Sequence, residues 1–487
     1  MTRSIFCYCF LFLVFSGCQP TTTPEPQDNL EDEITAILSN LTSGIQVEGV
    51  KPEVFDLSTR MEFYKVPGLS IAIVRGGKLH WARGFGMANT ELETSVDENT
   101  IFQAGSISKP LAAMGALKLV EAGKLSLEED INRYLSSWKI PENEFQKEEK
   151  VTLARLLSHQ AGISVHGFPG YTQDETFPSD IEVLDGLGNT DPIRVDTRPG
   201  TLWRYSGGGY TIMERAVEDQ SGMSFSDYLD TEVLRPLGME RSTYAQPLPK
   251  AWHENASAAY NADGEIAEGY WNNYPEQAAA GLWTTPTDLA RYCIEVMEAH
   301  RGESSKVLSQ DMIKAMLTEQ PLNWGLGPSL GIKGDSLRFG HGGKNRGFTN
   351  NMVAFDYLQD AIIVMTSADR GMGLIREIQR AAAEAYGWEL SPGKKVTVVE
   401  VSAEEKAKRV GSYRWAEEDY TVNVIVEEGE IILVDPNEND RRYLLKALDE
   451  TKTIDLVDGD EIEFIYGEDG QVEAIVQNGR IRLDRLN

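Results

Sequence analysis

The chain has 487 residues, of which 41% are hydrophobic and 25% charged, proportions ordinary for a folded globular protein. Its 76 acidic side chains outnumber 46 basic ones, for a formal net charge of −30, so no basic stripe is available for a nucleic-acid backbone or an anionic membrane surface. The length admits one or two large domains with a smaller one beside them.

At the N-terminus, Arg3 precedes the apolar run Ile5 to Phe15, which is too short to span a bilayer as a mature helix and ends in Phe15-Ser16-Gly17-Cys18. That ending resembles a bacterial lipobox. The resemblance implies a lipoprotein signal peptide over residues 1–17 and a lipidated Cys18 as the new N-terminus. A lipid anchor would then hold the protein in the bacterial cell envelope, on its periplasmic or surface face. Residues 18–35, which open with the Pro/Thr-rich stretch Gln19 to Asn29, are expected to form a polar tether. Past Cys18 only Cys293 remains, which leaves no pair for an intramolecular disulfide.

Residues 36–391 alternate strand-like and helix-like segments and are expected to form one α+β domain. Leu69 to Val74, a turn at Arg75-Gly76-Gly77-Lys78, and Leu79 to Gly84 read as a hairpin. Met213 to Leu229 and Asp288 to Ala299 carry apolar residues at helical spacing. Asn351 to Phe355 and Ala361 to Thr366 read as strands, so an antiparallel sheet flanked by helices should gather both ends of the domain. Pro392-Gly393-Lys394-Lys395 marks a boundary. Beyond it, residues 392–487 are expected to form a small antiparallel β-sheet or barrel with an accessory role. Its strands would be Tyr420 to Val426, Glu430 to Val434, Glu461 to Tyr466, Gln471 to Val476 and Arg480 to Leu483, with turns at Glu428-Gly429, Asp469-Gly470 and Asn478-Gly479.

Ser-x-x-Lys, the spacing of a nucleophile and its activating amine, occurs three times: at Ser106/Lys109, Ser136/Lys139 and Ser391/Lys394. Context selects among them. The segment after Ser106, KPLAAMGALKLVEAG, is apolar on nearly every face and reads as a buried helix, with Pro110 tolerable in its first turn and Gly123 as its stop. Ser106 would stand at that helix's N-terminus, where the dipole favours developing negative charge, with Lys109 on the same face. A desolvated lysine there has its pKa pushed down and can take the serine proton. Ser136/Lys139 lies in a loop ended by Pro141, and Ser391/Lys394 has Pro and Gly inside it. The nearest approach to a nucleophile elbow, Gly68-Leu-Ser70-Ile-Ala72, sits inside a strand. Two Gly-rich stretches could complete a site. Pro199 to Tyr210 places Tyr205 on a tight turn, and Phe339-Gly-His341-Gly342-Gly343-Lys344 ends an alternating run where a substrate backbone could lie against an N–H.

Ser106-x-x-Lys109, Tyr205-Ser-Gly207 and His341-Gly-Gly343, in that order, resemble the serine β-lactamase and penicillin-binding-protein-like superfamily. The branch they are most similar to is that of the class C β-lactamases and D-alanyl-D-alanine carboxypeptidases. Leu156 to Gly162 and Arg235 to Met239 are similar as well, and the likeness covers roughly residues 55–385. It implies a β-lactamase/transpeptidase-like fold with a mainly helical subdomain. It also implies an acyl-enzyme at Ser106, a base role shared by Lys109 and Tyr205, and an oxyanion hole made by the backbone N–H groups of Ser106 and Lys344.

Two positions depart from the family pattern. His341-Gly342-Gly343 stands where Lys-Thr-Gly is frequent, and an unperturbed histidine is only about a quarter protonated at pH 7, so carboxylate binding should weaken. Gly207 replaces an asparagine amide donor. The expectation is therefore a serine hydrolase of small esters or amides, an esterase or D-amino-acid peptidase. A class C-like β-lactamase or carboxypeptidase is the alternative, and a non-hydrolytic sensor lipoprotein a more distant one. His159 falls in a framework segment and reads as structural. His80, His166, His253 and His300 have no ligand spacing, so neither metal nor cofactor is expected.

Overall fold

The computed structural model describes residues 26–334, 336–416, 420–438 and 440–486. Cys18, the expected signal segment and the first part of the expected tether lie outside the described residues. The second part of that tether is helical: a helix runs from Pro26 to Leu38, with Ile34, Ile37 and Leu38 buried. These apolar positions recur at helical spacing with Leu41 and join the cluster formed by the C-terminal helix Gly371–Tyr386. The expected tether is thus corrected over residues 26–35, where apolar residues return from Leu30 onward and supply a face to bury.

A seven-stranded antiparallel sheet forms the frame. Its order is Thr94–Ser95, Lys78–Asn89, Gly68–Arg75, Asp360–Thr366, Phe348–Phe355, Ser336–Asn345, Ser329–Lys333. The first long hairpin turns at Gly76 and Gly77, both at positive φ, and Leu69 pairs with Thr366, so the two ends of the domain meet at mid-sheet. Side chains alternate between faces. Ala72, Val74, Ile363 and Met365 enter the large core on one side, while Ile71, Ile73, Ile362 and Val364 pack under the helices Leu57–Tyr64 and Gly371–Tyr386 on the other.

The helix Ser108–Glu121 runs through the large core, buried at every position from Ser108 to Leu117. Gly115 lets Leu229 approach to 3.2 Å of where a Cβ would stand. The helix stops at Ala122 and Gly123, the latter left-handed as its sequence position suggests. Met213 to Leu229 is not one helix. Gly207–Ser221 ends at the left-handed Gly222, and Ser224 caps a new helix, Phe225–Leu229, by accepting from the Asp227 N–H. The apolar periodicity continues across the break and hides it.

The C-terminal segment closes into an eight-stranded antiparallel barrel. Beyond the five strands read from alternation, it contains Gly411–Trp415, Arg441–Ala447 and Lys452–Asp455. Closure is made by Gly411–Trp415 pairing with Ile481–Arg485. A short helix, Ala403–Arg409, delivers Arg409 into the barrel, where its guanidinium lies 4.8 Å from the Phe464 ring and donates to the Glu450 carbonyl at 2.7 Å. Among the described residues no helix is long and apolar enough to cross a membrane.

Candidate active site

Ser106 sits on a single 3-10 turn, Gly105–Ile107, immediately before the buried helix. Two glycines place that turn against the strand Ser336–Asn345. Gly105 is at φ +55, and a Cβ on it would stand 2.6 Å from the Lys344 backbone nitrogen. A Cβ on Gly343 would stand 1.9 Å from the Ala104 carbonyl oxygen. Turn and strand therefore touch backbone to backbone, which only glycine permits at both points. Ser108 locks the turn: its hydroxyl donates to the Gly105 carbonyl at 2.6 Å and accepts from the Leu282 N–H at 3.0 Å.

Lys109, one helical turn on, is 2% exposed and holds its Nζ 3.0 Å from Ser106 Oγ and 2.8 Å from the Ala279 carbonyl oxygen. No carboxylate forms an ion pair with it among the described residues, and burial pulls its pKa down to about 7. A neutral amine in this position donates to Ala279 and directs its lone pair at the serine hydroxyl.

Tyr205 reaches the same place from the loop before the helix Gly207–Ser221. Ser206 caps that helix, accepting from the Gly209 N–H at 3.0 Å. The Tyr205 hydroxyl is buried and faces Ser106 without closing a hydrogen bond, and burial raises its pKa. Lys109 Nζ lies 5.0 Å from the centre of the phenol ring. His159 packs against the same ring, with ring centres 4.3 Å apart. The Ser206 N–H donates to His159 Nδ1 at 3.1 Å, so this imidazole is the Nε2–H tautomer, and burial pushes its pKa well down. A framework histidine thus packs against the phenol and helps hold it in place. Gly207 cannot be replaced in place by a larger residue, because a Cβ there would stand 2.9 Å from the Phe168 ring.

His341 is buried, and its Nδ1 bonds the Gly342 carbonyl oxygen. Burial and the neighbouring Lys109 charge pull its pKa down to about 3. The partly protonated histidine expected from the sequence is therefore corrected to a neutral one. Lys344 points its side chain outward, with Nζ 3.2 Å from the Asp369 carbonyl oxygen.

All seven of Ser106, Lys109, Tyr205, His341, Gly342, Gly343 and Lys344 line one cleft of about 800 Å³. Its remaining wall includes His166, Phe168, Trp203, Trp324 and Asp369, which the sequence reading did not assign to a site. Trp203, two residues before Tyr205, could have been suspected from that proximity, whereas Phe168 reaches the site from a separate segment. Trp324 comes from a loop with no motif and is legible only in three dimensions. The rival serines lie elsewhere. Ser70 is buried between paired strands, Ser137 and the Ser136 backbone bind Asp219, and Lys139 bonds the Asn132 carbonyl. Among the described residues no group of three or more His, Cys, Asp or Glu side chains is placed to hold a metal ion.

Comparison with known proteins agrees with this architecture. Protein flp of Staphylococcus aureus (strain N315) is 23% identical over 264 residues, half of this chain and half of that protein, so the chain spans about half the length of the curated relatives it matches first. Penicillin-binding protein 4* of Bacillus subtilis (strain 168) is 22% identical over 432 residues, 84% of this chain and 92% of that protein. Two solved structures share the fold. The octameric penicillin-binding protein homologue from Pyrococcus abyssi has a TM-score of 0.61 at 23% identity, covering 88% of this chain and 98% of that one. The D-amino acid amidase from Ochrobactrum anthropi SV3 has a TM-score of 0.56 at 20% identity, covering 74% and 98%. The sequence model of the Beta-lactamase family matches residues 56–386, two motif-bearing glycine loops and the buried Ser-x-x-Lys helix included, and the chain belongs to that family.

Proposed function

We propose that the protein is a serine hydrolase that forms an acyl-enzyme at Ser106 and cleaves small esters or amides, D-amino-acid peptides and amides among them. The observation that carries this reading is the buried Lys109 amine 3.0 Å from Ser106 Oγ, with its pKa drawn down to about 7 by desolvation. Neutral Lys109 accepts the hydroxyl proton as Oγ bonds to the substrate carbonyl carbon. The tetrahedral oxyanion is held by the backbone N–H groups of Ser106 and Lys344, each such donor being worth about 10²–10³ in rate. Tyr205 keeps its proton in the free protein because burial opposes the phenolate. It gives that proton to the departing alkoxide or amine as the carbon–leaving-group bond breaks, and Lys109 returns one to the phenolate. Water repeats the sequence in reverse and releases the acid.

The neutral His341 bears on substrate choice. A cleft without a buried cation at that position gives no ion pair to a carboxylate adjoining the scissile bond, which favours esters and amides over D-alanyl-D-alanine termini and β-lactams. An anchored position in the bacterial envelope, as the Cys18 segment suggests, fits a role on cell-wall-derived peptides or esters. The test is hydrolysis of p-nitrophenyl acetate and D-alanine p-nitroanilide, with fluorophosphonate labelling read by intact mass. We expect turnover and a single adduct on Ser106, and a loss of at least about 10³-fold in Ser106→Ala. Full activity in that variant would overturn the assignment. With a chromogenic cephalosporin we expect a burst followed by stalling rather than sustained turnover.

A further inference from the structure

A second cavity, of about 430 Å³, lies where the helix Gly371–Tyr386, the segment at Gly44 and Ile45, the linker Ser391 to Lys394 and the barrel come together. It adjoins the active-site cleft through one residue, since Met372 lines both. The chain passes from one to the other at the head of that helix: Asp369 lines the cleft and Arg370 the second cavity.

The charge of this cavity is opposite to that of the molecule. In a chain of net charge −30, its walls bring together Arg370, Arg376, Arg380, Lys394 and Arg441 against only two carboxylates, Glu377 and Asp458. Both carboxylates are already engaged. Arg60 grips Glu377 through two nitrogens at 2.7 and 2.6 Å, with the Tyr64 hydroxyl at 2.9 Å, and Arg441 lies 3.2 Å from Asp458. Lys394 is paired with Glu461 at 2.6 Å. Arg380 spends its hydrogen bonds on carbonyl oxygens, those of Thr42 and Ser391. Arg376 is exposed and makes no ion pair among the described residues. Arg376 and Arg380 are one helical turn apart, close enough for the charge of the first to oppose that of the second. Like charges set side by side on the wall of a concavity gain when an anion joins them, and guanidinium forks fit carboxylate and phosphate oxygens.

We propose that this cavity is a remote anion subsite of the hydrolase, taking a carboxylate or phosphate that the substrate carries well away from its scissile bond, with Arg376 as the principal contact. The inference rests on the serine-hydrolase reading and narrows its substrate class to esters and amides with an anionic extension. It is consistent with the neutral His341, because the anion is recognised beyond the cleft rather than beside the reacting carbonyl.

The experiment compares matched substrates. On the acyl side these are p-nitrophenyl monoesters of glutarate, adipate and suberate, each against its methyl-capped twin. On the leaving-group side they are acetyl esters of 4-hydroxybenzoate and 4-hydroxyphenylacetate against the corresponding amides. At low salt at least one anionic member should exceed its neutral twin about tenfold in kcat/KM, through KM. In Arg376→Ala that preference should fall to within about twofold while the neutral twin is unchanged, and Arg376→Lys should retain part of it. Absence of any anion preference on either side, or its survival in Arg376→Ala, overturns the proposal. Binding of glutarate and phenyl phosphate to the Ser106→Ala protein by calorimetry separates this from the chemistry. Weakening by about tenfold on adding Arg376→Ala supports the subsite even where no ester is turned over, and an unchanged affinity sinks it.

Discussion

Lys109 is the residue whose environment says most about the chemistry. Its ammonium loses water on burial and gains no carboxylate, and its pKa comes down to about 7 from the usual 10.5. The consequences for pH have the same sign for activity and for stability but fall in different windows. Activity needs the free lone pair, so kcat/KM for a neutral ester should rise with pH along one limb centred near 7 and then level. Between about 7 and 10.5 the unfolded chain holds the extra proton, so stability should rise with pH across that window, and the penalty of burying the charge is fully present below it. Lys109→Met should therefore lower kcat/KM by about 10²–10⁴-fold and yet raise the melting temperature at pH 6, measured by steady-state kinetics and calorimetry. A variant that loses both activity and stability would argue against an unpaired, desolvated amine. This residue was legible in the sequence because a lysine three places after a serine on an all-apolar helix has nowhere solvated to go. The neutrality of His341 was not legible, since it depends on what surrounds the ring rather than on the ring's place in a motif.

Among the elements, the strand Ser336–Asn345 and the turn Gly105–Ile107 matter as a pair. The contact between them is backbone on backbone, with Gly343 facing the Ala104 carbonyl at a separation that no Cβ could occupy. Gly343→Ala should push the strand away from Ser106, cost about 1–3 kcal/mol of stability, and lower kcat/KM more than 10²-fold without preventing folding. Calorimetry and ester kinetics on the same sample check both. Gly342→Ala, by contrast, should be mild, because the nearest atom to a Cβ there is 3.7 Å away on the Asn351 side chain. A Gly-Gly pair in a strand announces a close approach; which of the two glycines makes it depends on the face each presents. The broken helix at Gly222 and the missed barrel strands carry the same lesson. Arg441–Ala447 contains three cations, which obscures its alternation, and only pairing with Ile431 to Asp435 on one side and Thr453 to Asp455 on the other makes it a strand.

At the scale of the whole molecule, 76 acidic side chains repel one another, and 46 basic ones are too few to relieve them, five of these lining the cavity around Arg376. Salt should screen this self-repulsion. Raising NaCl from about 10 to about 150 mM at pH 7.5 should increase the melting temperature by a few degrees, and thermal unfolding at several salt concentrations measures it. A fall with salt would mean that local ion pairs outweigh the net charge. The barrel is joined to the catalytic part by specific contacts: the Ser43 hydroxyl on the Leu456 carbonyl at 2.5 Å, the Lys394–Glu461 pair, and Val457 against the helical core. The two parts therefore meet over the cavity rather than being strung apart on a linker.

Local and short-range physics lies open in one dimension. The desolvated Ser106/Lys109 pair, the glycine-bearing loops of Tyr205 and His341, the hairpin at Gly76-Gly77 and the β character of the last ninety or so residues follow from spacing, periodicity and turn chemistry, which act over a few residues. Convergence is different in kind. That Trp324 walls the cleft, that His159 packs on the Tyr205 ring, that His341 is neutral, and that cations of one helix meet those of the linker and the barrel around one cavity are facts of packing. They are decided by which surfaces exclude water when distant segments close on one another, and burial sets the charge of a side chain only after that closure.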